Sequence, residues 1–300
     1  MRDGAQGTGE TQSNDVRRLP DSLTVQAAHL RVPDLERSLE FYQGLLGLVE
    51  LHSSGASSTL GPVGSSTPLL QLTEDVQATP RARRSPGLFH LALLYPTRKD
   101  LAAAFKHLYV QRWPFQGFAH HGVSEALYLA DPDGNGIELY RDLPRGAWPY
   151  KNGELQMVTD PLDLEDLLSE LSGNDHDDRL TSGGMSIGHI HLQVSNLQKT
   201  ETFYHSLLGF DVVQRSIPGA LFMSAGGYHH HFGANVWNSR GAGPLDDTGL
   251  GLTQFQLSLG SVSALNDLKN HLRSMGRVAV DTEDAFVVVD DDNIRISITP

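Results

Sequence analysis

The chain of 300 residues has no cysteine, which excludes disulfides and thiolate metal ligands. Positive charge is scarce. Lys and Arg number 23 against 36 Asp and Glu, for a formal net charge of −13. Phosphate backbones need a clustered cationic surface, so a general nucleic-acid binder is excluded. No apolar run approaches the roughly 20 residues that cross a bilayer. The N-terminal stretch lacks the apolar core of a signal peptide. These absences lead us to expect a cytoplasmic protein without a membrane partner. What remains suits a globular chain. It is 39% hydrophobic and 20% charged, and its length suits two domains with a core each.

The chain repeats itself. The stretch from Val32 through Phe41-Tyr42 to Leu45-Leu46-Gly47 returns as Val194 through Phe203-Tyr204 to Leu207-Leu208-Gly209. The offset is a constant 162 residues, the mark of a duplicated unit. Val25 to Val32 reads as a strand, and Asp34 can cap the helix after it. That helix puts Leu35, Leu39, Tyr42 and Leu46 on one face, and Gly47 ends it. A Gly- and Ser-rich loop over 53–67 precedes a strand at Leu69–Leu72.

The pattern then restarts. A strand over 87–94 is followed by a helix from Arg98 to Val110. Strands at Ala126–Leu129 and Gly136–Tyr140 flank Asp131-Pro-Asp-Gly-Asn135, a hairpin signal. The second half repeats the scheme, with strands beginning at Ile187 and Leu252 and a last one at Ile294–Ile298. We expect an α+β protein of four βαβββ modules forming two paired domains. A mobile tail spans 1–21. The N-terminal domain spans 22–150, with modules 22–86 and 87–150. A linker with a helix candidate at Leu162–Leu171 spans 151–184. The C-terminal domain spans 185–300, with modules 185–248 and 249–300.

These motifs carry a resemblance. Phe-Tyr-x-x-Leu-Leu-Gly, Asp-Pro-Asp-Gly-Asn-Gly-Ile-Glu-Leu-Tyr, Ile-Gly-His-Ile-His-Leu and Gly-Gly-Tyr-His-His-His resemble the vicinal oxygen chelate superfamily. Its members include glyoxalase I, bleomycin-resistance proteins and extradiol dioxygenases. The likeness to two-domain bacterial catechol 2,3-dioxygenase-like proteins runs from Leu23 to Pro300. It implies a metal cup built by two modules, with ligands on the first and last strand of each.

Those positions are Ala27 and Gln71 in module one, and His90 and Glu138 in module two. Module three offers His189 and the run His229-His230-His231, and module four offers Gln254 and Ser297. Modules one and four carry no usual ligand. The resemblance and this lopsidedness imply one metal centre between modules two and three, from His90, Glu138, His189 and His231. His229 is an alternate ligand. If the halves close on themselves instead, the N-terminal set is His29, His90 and Glu138. Imidazoles with one carboxylate suit a divalent ion, with Fe(II) favoured and Mn, Zn, Ni or Co compatible.

Around that centre, His121 resembles an acid–base histidine of extradiol enzymes. Tyr140 shares the strand face of Glu138 and can donate to a bound oxygen. Asn235 and Trp237 are candidates to line the substrate cup, and Arg141 and Arg145 can meet an anion. The resemblance implies a metal-dependent extradiol dioxygenase acting on a small aromatic molecule with adjacent oxygens. The alternatives are a glyoxalase-like isomerase or lyase and a metal-free small-molecule binding or resistance protein. Four protein ligands would favour the glyoxalase-like reading, because they leave only two octahedral positions open. The sequence is compatible with a homo-oligomer.

Overall fold

The computed structural model describes residues 17–171, 183–281 and 285–300. The larger parts of the expected tail (1–16) and of the linker's polar segment (172–182) lie outside the described residues. Residues 17–21, also expected in the tail, are fixed. Leu19 is buried, and its N–H donates to the Gly209 carbonyl at 2.9 Å.

Module one runs β1 (Thr24–Val32), α1 (Leu35–Leu39), β2 (Val49–Ser54), β3 (Ser57–Gly61) and β4 (Leu70–Glu74). Module two runs β5 (Gly87–Leu94), α2 (Arg98–Val110), β6 (Phe115–His120), β7 (Ser124–Ala130) and β8 (Gly136–Asp142). The connection holds β9 (Tyr150–Lys151), β10 (Glu154–Leu155) and α3 (Leu164–Leu168), a shorter helix than the sequence suggested. Module three runs β11 (Ser186–Gln193), α4 (Leu197–Glu201), β12 (Asp211–Gln214), β13 (Ala220–Ser224) and β14 (Phe232–Asn235). Module four runs β15 (Gly251–Ser258), α5 (Val262–Ser274), β16 (Val278–Asp281), β17 (Phe286–Val289) and β18 (Arg295–Thr299).

The strands build two eight-stranded sheets. One has the order β16-β17-β18-β15-β1-β4-β3-β2, and the other β12-β13-β14-β11-β5-β8-β7-β6. Module one therefore shares a sheet with module four, and module two with module three. Each half of the chain contributes to both sheets. The seams are antiparallel: β1 lies against β15, and β5 against β11.

Local chemistry explains the modules. The Asp34 carboxylate accepts from the Arg37 N–H at 3.0 Å and caps α1. Tyr42 and Leu46 are buried, while Leu35 and Leu39 pack half-buried on the same core. Past α1 the chain continues as a π turn over Glu40–Leu45, and past α4 as another over Thr202–Leu208. These turns deliver the repeated tyrosines to matching partners. Tyr42 donates to Asp131 at 2.9 Å, and Tyr204 to Asp290 at 3.0 Å. Asp131 and Asp290 open the hairpins before β8 and β18 and also accept backbone N–H groups there.

Alternation along the site strands separates two faces. Leu91 and Leu93 of β5 and Ile137 and Leu139 of β8 enter the main core. His90 and Glu138 point the other way, yet both are buried. That second face is the wall of a cup, not a solvated surface. No helix of the described residues is long and apolar enough to cross a membrane.

Candidate metal centre

Three side chains converge in the cup between modules two and three. His90 comes from β5, Glu138 from β8 and His189 from β11. His90 Nε2 lies 3.0 Å from Glu138 Oε2, His189 Nε2 lies 3.1 Å from the same oxygen, and the two imidazole nitrogens are 3.2 Å apart. The donors thus form a nearly equilateral triangle. Bonds of about 2.1 Å at right angles put neighbouring donors about 3.0 Å apart, whereas tetrahedral angles would put them about 3.4 Å apart. The triangle fits one face of an octahedral divalent ion. Among the described residues these three form the one such cluster of possible ligands.

Burial sets the protonation this donor set needs. Desolvation pushes the His189 imidazole down to about 4, against the pull of Glu138. Desolvation would raise the Glu138 carboxyl, but the adjoining His189 and His90 outweigh it and hold it well below its ordinary value. His189 Nδ1 is buried without a hydrogen-bond partner among the described residues. Its ring is held by packing instead, with Tyr140 at 5.0 Å and His230 at 4.0 Å between centroids. The Tyr140 hydroxyl reaches this layer because residue 188 is glycine; a Cβ there would lie 1.5 Å from it.

The fourth expected ligand is absent from the cluster. The run 229–231 is loop, and β14 begins at Phe232, so strand alternation does not apply to it. His231 Nδ1 accepts from the Ala225 N–H at 3.3 Å and sits 3.1 Å from Ser224 Oγ. His229 Nε2 donates to Asp142 at 2.8 Å. His230, which the sequence reading passed over, is the member that lines the cavity. His229 Nδ1 in turn lies 2.8 Å from His230 Nδ1, so the two rings share a hydrogen bond.

Register names the true counterpart of Glu138. In module two His90 pairs with Gly136, and Glu138 lies two residues on. In module three Ile190 pairs with Phe232, so the matching residue is Gly233. A Cβ at Gly233 would come within 2.9 Å of the His191 ring. His191 fills the space a fourth ligand would need.

Other expected residues also shift. His29 lies in the other sheet, paired with Gln254 and Gln71, away from the triad. Tyr140 does not face the cavity; its hydroxyl meets that of Tyr228 at 2.8 Å, and Tyr228 donates to Asp142. Asn235 does not line the cavity either. Its amide donates to His191 Nε2 at 3.1 Å, and its carbonyl accepts the Trp237 N–H at 3.2 Å. Trp237 does line the cavity and is 48% exposed at its edge. His121 lines it too, with Nδ1 2.6 Å from the Val158 carbonyl and Nε2 2.7 Å from the Tyr128 hydroxyl. Tyr128 and His191 were missed by sequence reasoning. The alternation of Tyr128 with Leu127 and Leu129, and of His191 with His189, was the signal that could have found them.

The cavity above the triad has a volume of about 440 Å³. Phe89, Val123, Ile217, Phe222 and Trp237 form much of its wall, with Met157 and Val158 from the connection between the halves.

The model of the Glyoxalase/Bleomycin resistance protein/Dioxygenase superfamily matches residues 24–139 and 186–292. The chain belongs to this superfamily. A relative named catechol-2,3-dioxygenase, from Bacillus subtilis (strain 168), is 41% identical over 268 residues, 88% of this chain and 92% of that protein. Solved structures of the superfamily carry the same fold at low identity. A putative dioxygenase from Bacillus subtilis superposes with a TM-score of 0.67 at 14% identity, covering 94% of this chain and 86% of the other. Glyoxalase I from Zea mays superposes with a TM-score of 0.55 at 14% identity, covering 93% of this chain and 92% of the other.

Proposed function

We propose that the protein is a non-haem iron(II) extradiol dioxygenase, opening the ring of an aromatic vicinal diol. One observation carries the reading: three donors lie within 3.2 Å of one another, and a glycine stands at the register position a fourth would take. Two histidines and one carboxylate are the donor set of non-haem Fe(II) oxygenases. An ion held by these three side chains alone would keep room for both diol oxygens and for dioxygen. The name of the Bacillus relative, similar over most of both chains, supports the same activity. A glyoxalase-like lyase would want a carboxylate on each side of the metal, and Gly233 offers none.

His90, His189 and Glu138 would hold the ion, which supplies Lewis-acid binding of the diol and electrons for dioxygen. The chain's own groups do the rest. Phe89, Phe222 and Trp237 exclude water around the aromatic ring. Tyr128 takes the diol proton as its own passes to Nε2 of His121, and the half-exposed His121 hands it to solvent. The His230 imidazole in the cavity wall offers the substrate a hydrogen bond.

The test is reconstitution with Fe(II) without oxygen, then addition of catechol and isotopically labelled dioxygen. The expected product is ring-opened, carries both labelled atoms and consumes one dioxygen per diol. Product formation without dioxygen, or no uptake at all, would overturn the reading.

A further inference from the structure

The cavity is one-sided in charge. Among the described residues that line it, Glu138 is the sole carboxylate and there is no lysine or arginine. The two arginines offered for an anion are engaged elsewhere. Arg141 Nε donates to Glu125 at 2.7 Å. Arg145 lies 5.5 Å over the Trp148 ring and donates to the Gly226 carbonyl at 3.3 Å. The whole chain, at −13, repels anions too.

Away from the triad the wall is apolar and aromatic. Phe89 and Trp237 meet edge-on with centroids 5.4 Å apart. Trp237 is anchored by its indole N–H to the Pro218 carbonyl at 2.9 Å, so its ring stays at the cavity edge. A volume of about 440 Å³ is in the range that encloses a drug-sized ligand, more than a bare dihydroxybenzene fills.

Deepening the ring-cleavage reading, on which this rests, we propose that the substrates are uncharged benzene diols bearing an apolar alkyl or aryl substituent. Diols bearing a carboxylate are selected against. A carboxylate substituent buried against this wall would meet no lysine or arginine, and its desolvation would go uncompensated. An apolar substituent gains with each part of its surface that the wall covers. Trp237 and Phe89 are the residues that set this preference.

The test compares 4-methylcatechol with 3,4-dihydroxybenzoate, which places a carboxylate where the other has a methyl. Turnover is measured on the Fe(II) protein with oxygen, and binding by calorimetry without it. The expected kcat/KM favours the methyl compound by about 100-fold or more, and binding follows the same order. Gln116 lines the cavity from the exposed edge strand β6, and Gln116→Arg should raise use of the carboxylate compound. Trp237→Ala should lower kcat/KM for 4-tert-butylcatechol more than for catechol. Equal cleavage and binding of the two compounds would overturn the proposal and leave ring cleavage standing. Cleavage of neither, nor of catechol, would overturn both.

Discussion

Tyr128 and His121 make the most exacting claim at the scale of single residues. If they relay a proton, His121→Gln should lower kcat about 100-fold with little change in KM. A variant that raises KM alone would show a binding role instead. Burial of imidazoles yields a second expectation. Desolvation holds His189 down to about 4 and His231 down to about 3. His191 and His230 are lowered for the same reason. Unfolded histidines titrate near about 6.5, so the unfolded chain binds more protons between that value and about 4. The stability these groups contribute is complete above about 6.5 and is lost as pH falls through that window. Asp290 acts oppositely: burial raises it to about 7, so its contribution is complete at low pH and lost as pH rises through about 7. Four histidines outweigh it and the likewise raised Asp131. The metal-free protein should therefore melt at a lower temperature at pH 5 than at pH 7. An equal or higher melting temperature at pH 5 would contradict burial as the dominant cause.

Repeats in the sequence become repeated devices at the scale of elements. The Phe-Tyr helix and the Asp-led hairpin were each legible, the first by its offset and the second by its turn residues. Their meeting was not legible, because it joins residues 89 and 86 positions apart. Tyr42→Phe removes a buried hydrogen bond to a carboxylate and should cost about 1–3 kcal/mol in denaturant unfolding. Tyr204→Phe should cost a similar amount, and no loss in either would remove the hairpin lock from the account. The His run was misread at this same scale. Alternation assigns faces only within a strand, and β14 starts one residue after the run. Two left-handed glycines, Gly226 and Gly227, turn the chain just before it and free it from the strand pattern.

For the whole molecule, what matters is which modules share a sheet. The sequence carried that signal indirectly. Ala27, Gln71, Gln254 and Ser297 are not usual ligands for a divalent ion, whereas His90, Glu138 and His189 are of the types that are. In the structure the poor set falls in one sheet and the good set in the other. Strands within 87–142 and 186–235 thus make the sheet of the candidate metal centre, and strands within 24–74 and 251–299 make the other. The family signature follows the sequence halves, so motif order alone could not reveal this arrangement. Sequence and structure part over His231, which lies outside the cluster of His90, Glu138 and His189. The most direct test is metal content by elemental analysis after anaerobic Fe(II) reconstitution of three proteins. Wild type and His231→Gln should each hold close to one iron per chain, and Glu138→Ala should hold almost none. Iron retained by Glu138→Ala, or lost from His231→Gln, would contradict a three-ligand centre of His90, Glu138 and His189.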